Sequence, residues 1–109
     1  MKTTDIRTLV HFSSQEAARR DLFETEHLWS EVICLQESQR IGPLGDERSD
    51  AMFVVLAGEV AVQVGKGRAR MRQWESVTVP AGSDLTMANA SEEPSVVLVV
   101  AAPPPDRSA

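Results

Sequence analysis

Cysteine is nearly absent from this chain of 109 residues: Cys34 stands alone, so no intramolecular disulfide can form and a reducing cytoplasm is the expected compartment. Histidine is almost as scarce, with only His11 and His27. Basic charge is in deficit. Eleven Lys and Arg against 16 Asp and Glu give a formal net charge of −5, which disfavours the basic footprint of a nucleic-acid binder. Long apolar runs are missing too. None approaches the roughly 20 residues of a membrane span, so no membrane partner is expected. The opening MKTTDIRTLV holds no apolar stretch of the kind a secretory signal needs. There is no G-x-S-x-G elbow, and the GKG at 65–67 lacks the longer glycine frame of a phosphate loop. No internal repeat is visible, and the length suits one domain with one core.

What is present reads mostly as strands. HLWSEVICLQ is rich in β-branched and aromatic residues without a helical stripe. AMFVVLA is an apolar run of strand length, and Gly58-Glu59 breaks it. EVAVQVG alternates, with Val60, Val62 and Val64 on one face. RARMR alternates again, placing Arg68, Arg70 and Arg72 together. That arginine face suits a solvated outer surface that discourages edge pairing, or an anionic ligand. SVTVPAG, DLTMAN and SVVLVVAA complete about seven strands joined by Gly and Pro turns, the spacing of an all-β sandwich or barrel. IGPLG is assigned to a turn. SSQEAARRDLF predicts a short helix, capped by Ser13 or Ser14 and carried by good helix formers. The resulting organisation is an N-terminal segment with a short helix over 1–24, a barrel over 25–102 and a disordered Pro-rich tail over 103–109.

Two stretches resemble a known family. FVVLAGEVAVQVG is similar to the strand–Gly–strand hairpin of cupins, and WESVTVPAGSDLTMAN to their second motif, G-x5-P-x-G-x2-H-x3-N. Pro80, Gly82 and Asn89 fall at the motif's spacings, while Trp74 replaces its first Gly and Leu85 its His. Each matching residue has a structural use. Pro80 ends a strand because it has no ladder donor, Gly82 admits an unusual backbone conformation, and Asn89 can close the following turn. The resemblance covers about residues 36–100 and implies an antiparallel jelly-roll barrel.

Metal-binding cupins take two His and a Glu from the motif G-x5-H-x-H-x3,4-E-x6-G, and a further His from the second motif. Counted back from Gly58, the Glu position is Ala51 and the His positions are Gly45 and Glu47, or Leu44 and Asp46. Counted forward from Gly42 the His positions are Arg48 and Asp50, so the loop is shortened on one count. No count yields a His. A transition metal needs several N or O donors converging on one point, so the expectation is no metal and no cofactor.

Residues at those positions would then line an apolar pocket: Ala51, Phe53 and Val55 from one strand, Leu85 and Met87 from another, and Trp29 or Trp74 at the edge. Two functions follow. The first is a metal-free small-ligand-binding or regulatory module, a homodimer as the resemblance implies. The second is a cupin-type isomerase, epimerase or lyase on a sugar or small acid. Its acid–base candidates would be Asp46, Glu47, Asp50 and His27. Cys34, in mid-strand, reads as a small buried hydrophobe rather than a nucleophile.

Overall fold

The computed structural model describes residues 1–106. It builds strands β1 (Ala18–Glu24), β2 (Trp29–Leu35), β3 (Arg40–Leu44), β4 (Asp50–Ala57), β5 (Glu59–Val64), β6 (Gly67–Arg72), β7 (Ser76–Val79), β8 (Leu85–Asn89) and β9 (Ser95–Ala102). They form two antiparallel sheets, in the orders β1-β2-β9-β4-β7 and β3-β8-β5-β6. This is an all-β jelly-roll barrel. Alternation along each strand sends one set of side chains inward. Ile33, Leu35, Phe53, Val55, Val60 and Val97 are fully buried there. Each such side chain contributes roughly 1.5–3 kcal/mol relative to leaving it exposed.

Three sequence assignments change. The helix expected over 13–23 is not formed. Only its second half, from Ala18 on, becomes regular structure, as β1, which pairs with β2 from Ala18↔Cys34 to Glu24↔Trp29. The pairing lets Ala17 pack against the interior cluster and Ala18 against a second cluster outside the sheet, and tertiary contact of this kind overrides a helix preference of a few tenths of a kcal/mol per residue. The first strand of the five-stranded sheet therefore begins at Ala18. Helical structure at the N-terminus is a single 3-10 turn, Ile6–Leu9, with Asp5 at its cap. IGPLG is likewise not a plain turn, since Arg40–Leu44 pairs with β8 and Pro43 is tolerated because β3 lies at the sheet edge. Nine strands result among the described residues, where about seven were expected.

The outer face of the five-stranded sheet is partly roofed. Val32, Cys34 and Val96 lie buried beneath Ile6, Leu9 and Phe12. That burial pushes the Cys34 thiol up from its ordinary value. Gly58 is obligatory between β4 and β5. Its φ is +80°, and an added Cβ would stand 2.6 Å from the Pro94 carbonyl oxygen. Asn89 is buried. Its Nδ2 donates to the Leu35 carbonyl at 3.1 Å and the Glu93 carbonyl at 2.9 Å, and its Oδ1 accepts the Ser91 N–H at 3.0 Å. The turn after β8 is closed by this one side chain.

The tail assigned to 103–109 divides. Residues 107–109 lie outside the described residues. Residues 103–106 dock on the barrel instead of running free: Ser49 Oγ donates to the Pro103 carbonyl at 2.6 Å, and the Asp106 N–H donates to Asp46 Oδ2 at 2.8 Å. No helix among the described residues is long and apolar enough to cross a membrane.

Candidate functional site

At one end of the barrel the two sheets part around a cavity of about 190 Å³. Its walls are apolar: Trp29 from β2, Ala51 from β4, Val79 from β7, Leu85 from β8, and Val99 and Ala101 from β9. Leu44 closes in from the end of β3 and Pro105 from the tail, and Arg19, Asp46, Ser49 and Ser83 supply the polar groups of the rim. The volume exceeds the roughly 150 Å³ that holds a benzene-sized molecule in an apolar protein cavity.

Of the residues the sequence points to, Trp29, Ala51 and Leu85 line this cavity. Phe53, Val55 and Met87 share their strand faces but sit in the packed core and are not among the lining residues. The acid–base candidates separate as well. Asp46 lines the cavity, but its carboxylate is engaged: Oδ1 accepts the Arg48 N–H and Oδ2 the Asp106 N–H, both at 2.8 Å. These two backbone donors, Asp106 first, hold its carboxyl below the ordinary carboxylate range. Its main-chain carbonyl accepts the Gly82 N–H at 3.0 Å, and Gly82, at φ +85°, takes the left-handed conformation its motif position suggested. Asp50 is exposed and accepts the Ala81 N–H at 2.9 Å, and Glu47 is exposed. His27 sits in the β1–β2 turn with its side chain 87% exposed, 4.0 Å from Glu26. The structure thus brings neither Glu47, Asp50 nor His27 to the cavity. Among the described residues no three His, Cys, Asp or Glu side chains are grouped so as to hold a metal ion.

An ion pair that the sequence reading missed stands at the cavity edge. Glu31 lies on β2, on the same face as Trp29, Ile33 and Leu35, and its side chain is only 2% exposed. Arg19 reaches it from the next strand, where Nε donates to Glu31 Oε1 at 3.0 Å and Nη2 to the same oxygen at 2.5 Å. Arg19 is 41% exposed and forms part of the cavity wall. The guanidinium therefore spans from a buried carboxylate to the cavity rim. The available signal was the alternation of β2, which puts a charged residue among inward apolar ones. The partner was hidden because Arg19 was placed in a helix.

The two antiparallel sheets part around this cavity in the manner of a double-sheet jelly roll. The model of the cupin domain matches residues 31–101, and the chain belongs to the cupin family. Among solved structures, the TT1209 protein of Thermus thermophilus is 30% identical, with a TM-score of 0.91 over 96% of this chain and 100% of that one. An uncharacterized conserved protein with a double-stranded beta-helix domain from Klebsiella pneumoniae is 20% identical, with a TM-score of 0.87 over 94% of this chain and 90% of its own. KdgF from a Halomonas species is 18% identical, with a TM-score of 0.81 over 97% of both chains. The last two likenesses concern the fold alone. Comparison with curated proteins gives no match.

Proposed function

We propose that this cupin is a metal-independent binding or regulatory module that holds a small, largely apolar molecule in its barrel cavity. The observation that carries this reading is the lining itself. Ala51 and Leu85, at positions where the family resemblance would put metal ligands, present hydrocarbon to the same space as Trp29, Val79 and Val99. Asp46, the one carboxylate in that wall, already spends both oxygens on backbone donors. Apolar walls with a few fixed polar groups at the rim are the usual form of a small-molecule site.

The test combines metal analysis of purified protein with thermal unfolding in the presence of benzene, indole and short branched alcohols. A ligand at a hundred times its Kd adds about 2.7 kcal/mol, which raises Tm by roughly 10 °C or more in a domain of this size. Leu85→Phe, which fills the cavity, should abolish the shift while leaving the fold intact. Stoichiometric transition metal, or no shift with any of these probes, refutes the reading.

A second reading has one observation in its favour. The same barrel could serve as an isomerase, epimerase or lyase on a sugar or small acid. Its proton-transfer group would then be Glu31, held beside the cavity by Arg19, rather than the exposed Glu47, Asp50 or His27. The module is further proposed to be a cytoplasmic homodimer. Met52, 42% exposed, lies beside Val100 on the outer face of the five-stranded sheet, and apolar surface of this kind suits a second copy. Light scattering on the eluting protein reads the mass directly.

A further inference from the structure

The outer face of the four-stranded sheet carries a second concavity, unrelated to the barrel cavity. Strand register sets its layout. One row across four strands pairs Arg40 with Ala88, Ala88 with Ala61 and Ala61 with Arg70. The next row pairs Thr86 with Gln63 and Gln63 with Arg68. Two arginine banks thus face each other across a floor of small and neutral side chains, forming an open furrow of about 540 Å³. Arg40 comes from β3, far from the β6 arginines in sequence, and only the fold brings the banks together.

The charge of the furrow is one-sided. Although the chain holds 16 acidic residues against 11 basic ones, no Asp or Glu is among the residues lining it. Glu59, beyond its end, pairs with Arg72 at 3.0 Å and, at the longer distance of 3.5 Å, with Arg70. Among the described residues no carboxylate pairs with Arg40 or Arg68. Guanidinium forks left in this state match carboxylates in geometry as well as charge.

We propose that this furrow docks an extended acidic segment of a partner protein, its carboxylates held between Arg40 on one bank and Arg68 and Arg70 on the other. Dimensions favour that occupant. The banks lie three interstrand gaps apart, about 14 Å, which admits one extended chain running along the strands. Arg68 and Arg70 are two residues apart on one face, a step of roughly 6.7 Å, and an extended peptide repeats same-side carboxylates at the same interval. The furrow holds no aromatic side chain on which a nucleobase could stack, which argues against single-stranded nucleic acid.

Fluorescence anisotropy on the full chain tests this with a fluorescein-labelled decapeptide alternating Glu and Ser. The expected result is saturable binding that weakens as salt rises. Arg68→Gln with Arg70→Gln should weaken it by about 10-fold or more, and Arg40→Gln by about 3-fold or more, because each removes charged donors from one bank. Lys66→Gln, in the turn outside the furrow, should change it little. Melting temperatures of the variants close to that of the parent show that the fold is kept. Absence of saturable binding overturns the proposal. So does binding indifferent to Arg40→Gln, or tighter binding of an oligothymidylate of equal charge. None of these outcomes depends on the barrel cavity.

Discussion

A carboxylate buried among Trp29, Ile33 and Leu35 is costly unless another group answers its charge, and Arg19 answers that of Glu31 with two donors on one oxygen. Removing the guanidinium leaves the carboxylate buried and short of that partner. Fully buried pairs broken in this way lose about 3–5 kcal/mol, and the 41% exposure of Arg19 lowers the expectation here to about 2 kcal/mol. Urea unfolding of Arg19→Met should show that loss. The double variant Arg19→Met with Glu31→Leu should recover most of it, because an apolar pair of similar volume leaves no charge behind. If the double variant is no more stable than the single one, the pair is not what the strand face depends on. Asn89 shows the opposite relation of sequence to structure. Its place in the motif suggested a turn-closing role, and its amide does bridge Leu35 and Glu93.

Among the turns, the one between β6 and β7 carries a visible cost. Trp74 stands where the family motif has Gly, and it holds φ at +73° while the residue is 71% exposed. A non-glycine residue in this conformation costs roughly 1–2 kcal/mol, and little packing offsets it. Glycine would lose about 0.5–1 kcal/mol of that gain to backbone entropy. Trp74→Gly should therefore stabilise the protein by about 0.5–1 kcal/mol, read as a rise of a few degrees in Tm. The legibility of the elements follows from where their information lies. The β4–β5 hairpin could be read because apolar alternation and Gly58 are both local. β1 could not, since Ala18 and Arg19 favour a helix locally and become a strand only by pairing with β2. β3 was hidden by Pro43, which reads as a turn until the strand is known to lie at an edge. The same limit applied to the site. Ala51, Leu85 and Trp29 could be placed from motif and alternation, whereas the Arg19–Glu31 pair depends on the register between two strands.

For the molecule as a whole, the segments flanking the strands on either side cover the sandwich. Residues 6–12 lie on the outside of the five-stranded sheet, and residues 103–106 lie against the loop beside the cavity. Asp46 fastens the second contact, and its carboxyl sits below the ordinary value of 3.8. A depressed folded-state value means the contact favours the native state above 3.8 and is lost as pH falls through the lower folded value. The Asp106 amide resonance should therefore shift with an inflection below 3.8, and Asp46→Ala should remove that inflection. An inflection that survives in the variant would assign the transition to another group.

Because Pro105 is part of the cavity wall, seating the tail and filling the cavity are not independent events. Any molecule that gains contact with Pro105 binds more tightly when the tail is down, and by reciprocity it must hold the tail down by the same factor. For such a molecule, the segment over residues 103–106 would report on the occupancy of the cavity it borders.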